Sequence, residues 1–86
     1  MTPVLPTVIV DDEPPARERL ATLLAAHPNV KVVGEAGDVE TAREVCVREA
    51  PDLVLLDIHL PRASGFDLVP MLYGSPAIIF VTAYDH

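Results

Sequence analysis

Val8-Ile9-Val10-Asp11-Asp12-Glu13-Pro14-Pro15 is the stretch that decides the reading of this chain. A continuous β-branched run suits a strand buried on both faces, and the acidic residues and prolines that follow stop it. The prolines suit the first turn of a helix, and Ala16, Leu20, Leu23, Leu24 and His27 then fall on one helical face before Pro28-Asn29 ends it. The pattern repeats downstream. Val30 to Glu35 reads as a second strand, and Asp38 as the N-cap of a second helix with the apolar face Val39, Ala42, Val45, Cys46 and Ala50, closed by Pro51. Leu53-Val54-Leu55-Leu56 forms a third strand that ends in Asp57, followed by a loop from Ile58 to Ala63. Ser64-Gly65-Phe66-Asp67 has the pattern of a capping box and starts a third helix, which Pro70 shortens or kinks because it removes a backbone donor. Ala77 to Thr82 is the fourth strand.

Strands alternating with helices over short connections predict an α/β fold, a doubly wound parallel sheet. In such sheets ligands bind outside the carboxyl ends of the strands, near the point where strand order reverses. Asp11 and Asp12 follow the first strand, Asp57 ends the third and Thr82 the fourth, so parallel pairing brings them to one edge. Crowded carboxylates raise a pKa or recruit a cation, and hard oxygen ligands that leave positions for water suit Mg²⁺. Catalysis of phosphoryl transfer at such a site consists of placing an oxygen nucleophile in line with a phosphoryl group whose charge is neutralised around it. Asp57, at the end of a buried strand, is the natural nucleophile; Asp11 and Asp12 hold the ion, and Thr82 offers a hydroxyl donor.

Bulk composition narrows the function classes. Eighty-six residues make one small domain, 1–86, and its half-hydrophobic composition excludes disorder and solenoids. Thirteen acidic against six basic residues, a net charge of -7, would repel a nucleic-acid backbone, so no direct nucleic-acid contact is expected. Cys46 is the only cysteine, which excludes an intrachain disulfide and a cysteine zinc site. It reads as a small packing residue, as do Phe66, Met71 and Tyr73. No apolar run is long enough to span a bilayer and no signal peptide opens the chain, so a cytoplasmic location is expected.

Val10-Asp11-Asp12-Glu13-Pro14, Leu55-Leu56-Asp57-Ile58-His59-Leu60-Pro61 with Gly65, and Val81-Thr82-Ala83 together resemble a response-regulator receiver domain. The stretch Asp11 to Leu20, with Thr82-Ala83-Tyr84-Asp85, is most similar to receivers of LytTR-type transcription regulators. The resemblance implies a flavodoxin-like sheet of strand order 2-1-3-4, C-terminally incomplete, without the last helix, strand and helix. It implies that Asp57 accepts a phosphoryl group from a sensor histidine kinase, and that Asp12 and Asp57 bind Mg²⁺ directly. Asp11 then acts through water, the backbone carbonyl of His59 completes the ligands, and Thr82 is the switch hydroxyl. Such a module catalyses its own phosphotransfer and dephosphorylation, is not a turnover enzyme, and normally controls a DNA-binding output domain. A family member also carries a phosphate-binding lysine on a fifth strand; the one lysine of this sequence, Lys31, is on the second strand.

Other readings compete. Asp12 and Glu13 read equally well as caps of the first helix when taken alone. A haloacid-dehalogenase-type phosphatase needs an acidic residue two positions after its nucleophile, where this chain has His59, and a nucleotide-binding module needs a glycine-rich loop that follows none of the strands. A non-signalling dimerisation or interaction module that keeps the acidic pocket is the remaining alternative. The apolar fourth strand, without a fifth beside it, leads to an expectation of self-association through that edge.

Overall fold

The computed structural model describes residues 3–81. Its long strands are β1 (Leu5–Val10), β2 (Val30–Ala36), β3 (Leu53–Asp57) and β6 (Ala77–Val81), all pairing in parallel in the order β2-β1-β3-β6. This is the doubly wound order expected from the sequence, with β6 as the fourth long strand. Helices α1 (Pro14–Leu24), α2 (Val39–Glu49) and α3 (Gly65–Leu68) fill the crossovers.

Alternate residues of a strand face opposite sides of the sheet, and here both sides are apolar. Val8, Val10, Val54 and Leu56 pack with Ala42, Val45 and Cys46 of α2, Leu68 of α3 and Leu72, forming the main core. Ile9 and Leu55, fully or nearly fully buried, face the other side, where α1 touches β1 and β2. Burial on both faces explains why the strands are continuous apolar runs.

Local chemistry sets the helix ends. Pro14 and Pro15 occupy the first positions of α1, where the missing N–H groups have no intrahelical partner to lose. The Asp38 side chain caps α2 by accepting from the Thr41 N–H at 2.8 Å, and that bond holds its carboxyl below the ordinary aspartate range. In α3 the capping box is complete: Ser64 Oγ accepts from Phe66 N–H and the Asp67 carboxylate from Ser64 N–H. Pro70 ends α3 early, and residues Val69–Met71 continue as a 3₁₀ turn.

Several side chains depart from the sequence reading. No residue of α1 is buried, and Leu23 is 61% exposed; the main contacts of this helix are with β1 and β2. Ala50 leaves the helical face: Pro51 disfavours a right-handed conformation before it, and Ala50 closes α2 as a left-handed cap at φ 46°. Phe66, Met71 and Tyr73 are exposed, not packed in the core. Phe66 instead lies against Phe80 of β6, ring centroids 4.5 Å apart, on the surface. The loop after Asp57 contains a short antiparallel ribbon, β4 (His59–Leu60) and β5 (Ala63–Ser64). Its turn has Pro61 in second place and Arg62 at φ 63°, the pattern of a type II turn. The sequence signal was Pro61, but a positive φ at an arginine has no signature in residue type.

Candidate metal and phosphoacceptor site

β1 and β3 are hydrogen-bonded neighbours that run in the same direction, with Val10 opposite Leu56. Their carboxyl ends therefore deliver Asp11 and Asp57 to one edge of the sheet. Asp11, Asp12 and Asp57 each present a carboxylate oxygen within 4.8 Å of the other two. Two oxygens directly bound to one Mg²⁺ at about 2.0–2.1 Å lie no more than about 4.2 Å apart. The observed spread thus fits a hard divalent cation, with room for one carboxylate to act through water. The donor set also fits, since carboxylate oxygens are the ligands that Mg²⁺ prefers.

The three carboxylates sit in different surroundings. Asp11 is 9% exposed; its N–H donates to the Ala36 carbonyl at 3.0 Å and its Oδ1 accepts from the Glu13 N–H at 2.9 Å. Burial pushes its carboxyl above the ordinary aspartate range; the Glu13 N–H opposes that, the Asp57 and Asp12 charges add to it, and Arg17 opposes it least. Asp12 is exposed and lines an open cleft of 690 Å³ together with Asp38, Glu40, Pro61 and Arg62. Asp57 is half-buried, and its Oδ1 accepts from the His59 N–H at 3.1 Å, which fixes the rotation of the carboxylate.

The structure shows no side-chain cap on α1 from Asp12 or Glu13. Glu13 is the N-cap residue of α1 but makes no side-chain capping bond, and the first turn contains no acidic residue. Asp12 faces the cleft. Thr82 lies outside the described residues; Val81, the residue before it, pairs with Asp57. The His59 side chain is exposed.

Gly65 and Arg17 touch the backbone of Asp57 and Asp11, contacts that the sequence did not reveal. A Cβ on Gly65 would overlap the carbonyl oxygen of Asp57, and the Gly65 N–H donates to the Ile58 carbonyl at 2.6 Å. The start of α3 therefore presses on the peptide that follows Asp57. Arg17 Nη1 donates to the Asp11 carbonyl at 2.7 Å, and its Nε lies 3.3 Å from a Glu35 carboxylate oxygen.

Residues 7–86 match the family described as response regulator receiver domain. The chain belongs to that family. Among relatives of this receiver, the sensory transduction protein LytT of Enterococcus faecalis is 49% identical over 91% of the chain and 34% of its own length. The transcriptional regulatory protein BtsR of Salmonella typhi is 40% identical over 95% of the chain and 35% of its own length. The chain thus spans about a third of the length of these curated relatives. The response regulator domain of Thermotoga maritima CheB superposes with a TM-score of 0.85 at 28% identity, over 92% of this chain and 60% of that one. A LuxR-family two-component response regulator from Aurantimonas gives 0.87 at 28%, over 95% and 61%. The flavodoxin-like receiver fold and the similarity to LytT-type regulators therefore stand as read from the sequence. Among the described residues no helix is long and apolar enough to cross a membrane.

Proposed function

We propose that this receiver accepts a phosphoryl group on Asp57 from the phosphohistidine of a sensor kinase, in a Mg²⁺-dependent step of two-component signalling. The convergence of the Asp11, Asp12 and Asp57 carboxylates within 4.8 Å carries this reading. An oxygen of Asp57 attacks phosphorus, a P–O bond forms as the P–N bond breaks, and the electron pair goes to the imidazole nitrogen, which takes up a proton. The His59 N–H holds one Asp57 oxygen in place, so little conformational freedom remains to be lost at the moment of attack. Asp12 and Asp57 are assigned as direct ligands of Mg²⁺, Asp11 through water, with the His59 backbone carbonyl completing the set. Bound there, Mg²⁺ supplies neutralisation of the charge on the transferring oxygens. Thr82 is assigned as the hydroxyl donor to the phosphoryl group.

In the longer proteins of this type the phosphorylated receiver controls a DNA-binding output domain; transcription regulation fits the relatives named BtsR. Residues 1–86 are the receiver unit, the setting is cytoplasmic, and the chain itself makes no nucleic-acid contact. The module catalyses its own phosphotransfer and dephosphorylation and does not turn over a free substrate. Acetyl phosphate with Mg²⁺ should add one phosphoryl mass that is lost in base and absent in Asp57→Ala. Unchanged labelling of Asp57→Ala removes Asp57 as the acceptor.

The reading as a dimerisation module is favoured by one observation. Among the described residues β6 pairs on one side alone, with β3, and Ile79 and Phe80, on the two opposite faces of this strand, are 51% and 36% exposed. Open strand edges with apolar side chains pair with other chains, so we assign self-association of the chain to this edge. Light scattering should report a species larger than the monomer that Ile79→Lys returns to monomer. A monomer at all concentrations rules the edge out.

A further inference from the structure

Arg17 stands one turn into α1, at i+4 from the N-cap Glu13, and reaches back past the start of its own helix. Its guanidinium bridges two elements: Nη1 donates to the Asp11 carbonyl at 2.7 Å, and Nε lies 3.3 Å from the Glu35 carboxylate near the end of β2. The side chain is 22% exposed, so the bridge is partly shielded from water. Gly37 leaves the space for it, since a Cβ there would stand 3.3 Å from Nη1.

The bond to the Asp11 carbonyl matters because that oxygen belongs to the peptide unit joining Asp11 to Asp12. Fixing that plane fixes the two Cα atoms it contains and leaves only ψ of Asp11 and φ of Asp12 to direct the side chains. The Asp11 N–H is held by Ala36 and its Oδ1 by Glu13, so Arg17 completes the anchoring of the segment. A planar guanidinium suits two acceptors in different directions better than an ammonium does.

We propose that Arg17 is a positioning residue for the acidic site, holding the Asp11–Asp12 peptide against β2 so that both carboxylates meet Asp57 around a divalent cation. The proposal rests on the reading of the three aspartates as a cation site. It makes a prediction opposite in sign to simple electrostatics. A positive charge beside three carboxylates repels a cation, so neutralising Arg17 would tighten Mg²⁺ binding if charge alone mattered.

Calorimetric titration of the purified protein with Mg²⁺, without any phosphodonor, separates the cases. Arg17→Gln should bind about fivefold more weakly than the unsubstituted protein, the factor expected for loss of about one net hydrogen bond. Arg17→Lys, which keeps the charge and one donor group, should recover part of that loss. Equal or tighter binding by Arg17→Gln overturns the positioning role while leaving the cation site intact. A lower Tm with unchanged Mg²⁺ affinity also overturns it, since that is the result of a merely structural tie. If the glutamine variant does not fold, the lysine variant decides alone: weaker binding supports the role and unchanged binding overturns it. No Mg²⁺ binding by the unsubstituted protein overturns the cation site, and the proposal with it.

Discussion

Gly65→Ala is the substitution for which the structure makes the sharpest demand. The added methyl would overlap the Asp57 carbonyl oxygen and lie 3.1 Å from the Asp57 carbonyl carbon and 3.2 Å from Ile58 Cα. Comfortable carbon contacts begin at about 3.5 Å, and every obstructing atom is backbone, so no side chain can rotate away. Overpacking of this kind costs about 1–3 kcal/mol. Displacing α3 would also sacrifice the Gly65 N–H bond to Ile58, 2.6 Å long, worth about 1 kcal/mol more. A total of about 3 kcal/mol is a large share of the roughly 4–13 kcal/mol expected for a domain of this size. It should lower Tm by about 12–24 °C. Thermal unfolding followed by circular dichroism measures this, with Gly74→Ala as the control. Gly74 has φ +82° and nothing within 4 Å of its virtual Cβ, so alanine there meets only the left-handed strain of about 1–2 kcal/mol. If Gly65→Ala is no more destabilising than Gly74→Ala, the close approach of α3 to the end of β3 is wrong. The same variant should also weaken Mg²⁺ binding, because the peptide that must retreat carries the Asp57 side chain.

Asp11 yields a pH dependence. Its carboxyl is raised above 3.8 chiefly by burial, so the folded state binds more protons than the unfolded one between 3.8 and the raised value, and stability falls as pH rises through that window. Asp11→Asn should therefore have the higher Tm at neutral pH without Mg²⁺, with the gap closing as pH is lowered towards 3.8; a lower Tm at neutral pH contradicts the burial argument. Asp38 works in the other direction. Its lowered carboxyl stabilises α2 at neutral pH and loses that effect as pH falls through its folded value, so Asp38→Ala should lower Tm at pH 7 and make little difference in acid. Leu68 is fully buried in the main core, and Leu68→Ala should lower the free energy of unfolding by about 2–5 kcal/mol in urea titrations; a change below 1 kcal/mol would mean that α3 is not docked on the sheet.

The sheet was legible because both faces of every central strand are covered. Val8-Ile9-Val10 and Leu53-Val54-Leu55-Leu56 must then be uninterrupted apolar runs, and the residues that end them, Asp11 and Asp57, stand out by contrast. Caps were equally readable at Asp38 and Ser64, where the side chain bonds to an N–H two or three residues away. The exposed face of α1 was not readable, because helical spacing reports an apolar stripe whether or not another element covers Leu23. The Pro61-Arg62 turn and the left-handed Ala50 escaped for a related reason: backbone φ at a non-glycine residue is imposed by its neighbours.

Local sequence thus determined the four long strands and three helices of this receiver, their order and the acidic residues at the strand ends, since each of these follows from side-chain periodicity and short-range hydrogen bonding. The tertiary structure decided how far apart the carboxylates of Asp11, Asp12 and Asp57 stand, that Gly65 must lack a Cβ, and that Arg17 spans from α1 to the Asp11 carbonyl and Glu35. Those are contacts between segments distant in the chain or folded back on themselves. Their geometry is set by the packing of whole elements against one another, which no single stretch of residues encodes.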